Sequence, residues 1–122
     1  MSADQELLLE ADGAAEHAYA PYSHFHVGAA VRTRDGRVIT GVNVENAAYP
    51  LGICAERAVI ATAVGMGYRP GELVGIAITA SPCGGCRQWL AEFRLESVTY
   101  RRADGELAAV TPAELLPDTF EL

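Results

Sequence analysis

Apolar positions recur at helical intervals at the start of the chain. Leu7, Leu8, Ala11, Ala14, Ala15 and Ala18 follow the polar Ser2 and Asp4, which predicts an amphipathic helix over residues 4–19 that Pro21 ends. The period then shortens. Residues 27–33 and 38–42 are β-prone runs joined by Arg34-Asp35-Gly36-Arg37, and Asp-Gly between apolar runs marks a hairpin. Residues 54–65, rich in Ala, predict a second helix with Gly65 and Gly67 as stop signals. Residues 73–80 form a continuous apolar run, as expected of a strand covered on both faces. Pro82 favours a helix entrance, so a third helix is expected over residues 83–93. Residues 97–101 and 107–110 flank the turn Asp104-Gly105 and predict a closing hairpin, leaving a short tail after Pro112. Strands alternating with helices imply an α/β fold of three layers, α/β/α, around a five-stranded mixed sheet whose last two strands are antiparallel.

The 122 residues suit one domain spanning 1–122, since domains usually take about 100 to 200 residues. Half the residues are apolar and a fifth charged, a globular composition. The nine basic residues are all Arg and face sixteen acids, for a net charge of −7. That balance argues against nucleic acid or an anionic membrane as the main partner, because both are bound largely through Lys and Arg. No apolar stretch approaches the roughly 18 residues of a membrane span, and no secretory leader pattern opens the chain.

Three cysteines, Cys54, Cys83 and Cys86, are too few and odd in number for a disulfide scaffold. The expectation is a cytoplasmic protein with reduced thiols. Cys83 and Cys86 form Pro-Cys-Gly-Gly-Cys, and Cys54 opens Cys-Ala-Glu-Arg. Each group falls at the start of a predicted helix, where the backbone dipole favours thiolates. Such thiolates suit Zn²⁺, and three protein ligands without a fourth match a catalytic site that leaves one position for water. Glu56, two residues after Cys54, stands where it could move protons at that open side without being a ligand. Arg57 could donate hydrogen bonds to thiolate sulfur and offset the charge of three thiolates. A redox Cys-x-x-Cys pair, or a structural zinc site completed by His17, His24 or His26, are the competing readings of the same residues.

Cys54-Ala55-Glu56-Arg57 with Ser81-Pro82-Cys83-Gly84-Gly85-Cys86-Arg87-Gln88 resembles the zinc signature of the cytidine deaminase superfamily, in which a zinc-activated hydroxide attacks C4 of cytosine and a non-ligand Glu shuttles protons. Tyr19-Ala20-Pro21-Tyr22-Ser23, Phe25-His26-Val27-Gly28-Ala29-Ala30 and Gly41-Val42-Asn43-Val44-Glu45-Asn46-Ala47 extend the resemblance to the free-nucleoside cytidine deaminases. It implies one Zn²⁺ per subunit and hydrolysis of cytidine and 2′-deoxycytidine to the uridines with release of ammonia. It further implies Glu56 as the catalytic acid and base and Asn43 and Glu45 on the ribose hydroxyls. Backbone groups near Ala55 would position the base, Phe25 would lie beside the pyrimidine, and Phe120 would stack on it. The tail and the segment near Tyr49 complete neighbouring active sites in that family, which implies a homotetramer. Pro50 stands where the family usually carries Gly or Ser.

Two other functions compete. A deaminase of another small aminopyrimidine such as blasticidin S would share the zinc site, but Asn43 and Glu45 favour a nucleoside sugar. A zinc-stabilised binding module without catalysis would not need Glu56. A polynucleotide deaminase is disfavoured, since the turn Asp104-Gly105 leaves no room for the helix which that class usually inserts before the last strand.

Overall fold

The computed structural model describes all residues 1–122. Its elements run α1 (Ala3–Ala15), β1 (Gly28–Thr33), β2 (Val38–Val42), α2 (Ala55–Gly65), β3 (Leu73–Ile78), α3 (Gly84–Glu92), β4 (Ser97–Arg101), β5 (Leu107–Val110) and α4 (Pro112–Leu115), with a 3-10 turn over Tyr49–Leu51. The five strands form one sheet in the order β2-β1-β3-β4-β5. Only β3 and β4 pair in parallel; the other pairs, the closing β4–β5 hairpin included, are antiparallel. The expected mixed sheet with an antiparallel last pair is what the chain forms.

The layering follows from the alternation of side chains along the strands. On one face Ala30 and Ala77 pack with Leu7, Leu8 and Ala11 of α1. On the other, Val31, Ile76, Ile78 and Val98 meet Val59, Ile60 and Ala63 of α2 and Leu90 of α3 in the larger core. Ile60, Ile76 and Ile78 are fully buried, and each such side chain contributes about 1.5–3 kcal/mol relative to exposure. The β3 run is buried on both faces apart from half-exposed Val74, as its continuous apolar character implies. A Cβ on Gly41 would lie 2.6 Å from the Val59 nitrogen, so the missing side chain lets α2 rest directly on β2 and sets how far the helix start projects from the sheet.

The chain departs most from the sequence expectation in two places, with the other boundaries within two residues. The first helix ends at Ala15, four residues short of 19, because Tyr19 leaves the helix to pair with the segment after β2. Its N–H donates to Asn43 O at 3.1 Å and its carbonyl accepts from Glu45 N at 2.8 Å. The segment read as a plain tail contains α4, closed by a capping box in which Thr111 and Glu114 satisfy each other's backbone N–H. No helix is long and apolar enough to cross a membrane.

Candidate active site

The two cysteine groups meet because two helices begin at the same end of the sheet. Cys54 is the N-cap of α2 and Cys83 the N-cap of α3, with Cys86 in the first turn of α3. The Cys83 thiol accepts from Cys86 N at 3.4 Å, so the sulfur takes the capping role usually held by an oxygen. The three Sγ atoms lie within 4.8 Å of one another, and those of Cys83 and Cys86 are 3.4 Å apart. A tetrahedral zinc with Zn–S bonds of about 2.3 Å needs sulfurs roughly 3.8 Å apart. The donor set therefore fits zinc in chemistry and spacing. Cys54 joins Cys83 and Cys86 in one cluster, a third thiol that a redox pair has no use for, and no histidine belongs to the group.

The electrostatics suit a cation-binding site. Sharing a proton with Cys86, with Cys83 and Arg57 also nearby, pulls the Cys54 thiol down to about 6. Cys86 moves the opposite way, since it donates to Cys54, is buried and faces the Glu56 charge. Arg57 Nη2 donates to Cys83 Sγ at 3.9 Å, and the sulfurs, Cys86 foremost, hold the guanidinium firmly charged. A Cβ on Gly85 would fall 2.2 Å from that Nη2; this glycine leaves the space the guanidinium occupies. Glu56 is only 4% exposed. Burial first, and the neighbouring Cys54 charge second, push its carboxyl above the ordinary range.

A cleft of about 750 Å³ opens over the cluster, lined by Cys54, Ala55, Glu56, Ser81 and Cys83 at one end and by Phe25, Asn43 and Glu45 along its wall. That volume lies within the range of small-molecule sites. Asn43 and Glu45 both grip the loop that carries Phe25. Asn43 donates from Nδ2 to Phe25 O at 2.9 Å and accepts at Oδ1 from Val27 N at 2.9 Å. Glu45 Oε1 accepts from Tyr22 N at 2.9 Å and Ser23 N at 3.1 Å, while Ser23 Oγ donates to Oε2. These bonds, the Ser23 hydroxyl first, hold the Glu45 carboxyl below its ordinary value. They also sustain His24 at φ 59°, a left-handed conformation costing about 1–2 kcal/mol for a residue with a side chain.

Ser23 is the residue the sequence reading left without a role. It bridges Glu45 and accepts from Phe25 N at 3.0 Å, and no spacing rule reveals a contact across 22 positions. Phe120 is the one expected substrate contact that stands apart. It is 68% exposed, lines no part of this cleft and borders a second groove beside α3. The tail lies along α3, away from its own chain's cleft, with Gln88 Nε2 donating to Phe120 O at 3.4 Å. Pro50 is accommodated at the start of the 3-10 turn, a position whose φ suits proline.

A family model described as the cytidine and deoxycytidylate deaminase zinc-binding region matches residues 1–102. The chain belongs to this family. It is 44% identical to a cytidine deaminase of Halalkalibacterium halodurans, over 95% of this chain and 92% of that protein. The crystal structure of cytidine deaminase from Burkholderia pseudomallei superposes with a TM-score of 0.90 at 43% identity, covering 98% of this chain and all of that one. That of Mycobacterium tuberculosis gives 0.84 at 38% identity, with full coverage of both. The matched region contains all three cysteines of the deaminase-family zinc motif and Glu56.

Proposed function

We propose that the chain is a hydrolase that deaminates cytidine and 2′-deoxycytidine to uridine and 2′-deoxyuridine, releasing ammonia, and that residues 1–122 act as a single domain. The observation that carries this reading is the buried Glu56, its carboxyl raised by that burial, beside three convergent thiols at one end of a cleft whose wall holds Asn43 and Glu45. Cys54, Cys83 and Cys86 would hold the zinc. When bound, zinc supplies the Lewis acidity that makes water acidic enough to ionise near neutral pH.

The chain's own residues do the rest. Glu56 takes a proton from the attacking water and delivers it to N3 of the pyrimidine. It then takes the remaining proton from the hydroxyl added at C4 and passes it to the departing amine, so that the C4 carbonyl forms, one water is consumed and one ammonia leaves. A carboxyl raised by burial suits this shuttle, because it can be charged before the transfer and neutral after it. Arg57 tempers the thiolate charge, and backbone groups around Ala55 and Ser81 position the base edge. Asn43 retains one N–H and Glu45 retains lone pairs beyond those given to the loop, enough to take a sugar hydroxyl, while Phe25 flanks the base.

The cleft of one chain is open at its rim, where Tyr22, Phe25 and Tyr49 are exposed, Tyr49 at 91%. We read these residues and the outward Phe120 as surfaces of a homotetramer, in which a neighbour's Phe120 and Tyr49 segment complete each site. A net charge of −7 favours a nucleoside over a phosphorylated or polymeric substrate, and reduced thiols fit work in the cytoplasm. The test is loss of ultraviolet absorbance and release of ammonia with cytidine, deoxycytidine, CMP and blasticidin S, on protein of known size. Turnover of the two nucleosides by a tetramer is expected. Preference for CMP or blasticidin S would overturn the substrate assignment, and zinc-loaded protein inert towards all four would overturn the enzyme assignment.

A further inference from the structure

Arg87 and Gln88 follow Cys86 directly on the first turn of α3, yet neither lines the cleft. Arg87 reaches in two directions. Its Nε donates to Pro82 O at 3.0 Å and its Nη1 to Leu115 O at 3.1 Å. Pro82 precedes Cys83 in the chain, and Leu115 is the last residue of α4. A guanidinium carries donors in a fixed planar fork, so it can hold two carbonyls from unconnected segments in one geometry; a lysine head cannot. Gln88 Nε2 adds the bond to Phe120 O at 3.4 Å. Between the two clamp points the tail is tied to itself, with Thr119 Oγ1 donating to Leu116 O at 2.9 Å. Consecutive side chains of α3 thus capture the C-terminal segment at its beginning and near its end, while the Phe120 ring stays exposed.

We propose that Arg87 is a positioning residue that locks the C-terminal segment to the loop carrying Cys83, with Gln88 securing the far end of the same segment. Through Arg87 the backbone next to a metal-binding thiol and the placement of Phe120 become one mechanical unit. The one hydrogen bond of the Gln88 side chain goes to the tail. The inference rests on the reading of the three thiols as the zinc site.

The experiment uses the zinc-loaded full chain and two readouts, the rate at which a chelator withdraws zinc and the hydrogen exchange of the peptide spanning 112–122. Arg87→Ala is expected to accelerate both by about tenfold, the size of effect that supporting residues and charged hydrogen bonds carry. Gln88→Ala is expected to accelerate exchange in the tail alone, leaving zinc release within about twofold of the parent. Arg87→Lys, which keeps the charge and loses the fork, should fall between parent and Arg87→Ala, and it carries the test if the alanine variant does not fold. A merely structural contribution would instead move both readouts in both variants, in step with lost thermal stability. The proposal is overturned if the Arg87 variant leaves either rate unchanged, or if Gln88→Ala releases zinc as fast as Arg87→Ala. A parent chain that takes up no zinc would contradict the thiol reading itself, whereas a zinc-binding parent whose release rate is unmoved by Arg87→Ala contradicts the clamp alone.

Discussion

Asn43 holds the Phe25 segment from both sides: its Nδ2 donates to the Phe25 carbonyl and its Oδ1 accepts from Val27 N, each at 2.9 Å. The residue read as a sugar contact is therefore also the fastener of the cleft wall that carries the aromatic ring. Asn43→Ala leaves a carbonyl and an N–H without partners, at about 1–3 kcal/mol. KM for cytidine is expected to rise by roughly tenfold or more, with kcat changed less, in steady-state assays.

The same wall depends on Glu45 staying ionised. Ser23 chiefly holds its carboxyl below the ordinary value. For a carboxylate whose folded pKa is depressed, the stabilisation is present above the unfolded value and disappears as pH falls through the folded one. KM is therefore expected to climb only at pH below the usual carboxylate range. Ser23→Ala, which removes the principal hydrogen bond, should move that climb to higher pH. A KM–pH profile of the two proteins checks both statements.

Much of this arrangement was legible in the sequence. The three clustered cysteines, Glu56 and Arg57 lie in two short motifs, and helix-start signals placed both motifs at N-termini, where the chain brings them together. Asp-Gly turns fixed both hairpins. What was not legible depends on partners far along the chain. Apolar spacing carried α1 to residue 19, yet the backbone of Tyr19 pairs with Asn43 and Glu45, a pairing that leaves no trace in local periodicity. The Ser23–Glu45 bond is hidden for the same reason. By contrast α4 was announced by Thr111, Pro112 and Glu114, a capping box with proline at the first helical position, and was missed only because four residues of helix leave no period to see. Phe120 is placed by hydrogen bonds from α3, not by its own neighbours.

Metal uptake should be pH-dependent with a definite sign. In the metal-free chain Cys54 sits at about 6 while Cys86 is pushed up and keeps its proton. Binding zinc must displace that proton, so affinity should fall as pH drops and uptake should acidify an unbuffered solution. Competition with a chromophoric chelator across neutral pH, and calorimetry in two buffers of different ionisation heat, measure these effects. Removing the metal should also lower Tm, since a ligand that binds only the folded state stabilises it.

Away from the site, Asp35 in the β1–β2 turn accepts from Thr33 Oγ1 at 2.5 Å and from Tyr68 OH at 2.8 Å. These bonds, Thr33 first, lower its pKa. Its contribution is therefore complete above the ordinary carboxylate value and is lost as pH falls through the folded value. Tyr68→Phe should raise the Asp35 pKa and lower Tm near neutrality, a difference that shrinks as pH falls through the folded value. Carboxyl titration by NMR and melting curves from neutral pH into acid read the two effects.

The most direct test of the mechanism is Glu56→Gln assayed for zinc and turnover on the same preparation. The substitution keeps the shape of a side chain that is 4% exposed and removes its ability to carry a proton. Zinc near one per chain with cytidine turnover lowered by about a hundredfold to ten-thousandfold is the expected result. Glu56→Gln protein that is fully zinc-loaded and turns over cytidine at close to the parent rate would contradict the account.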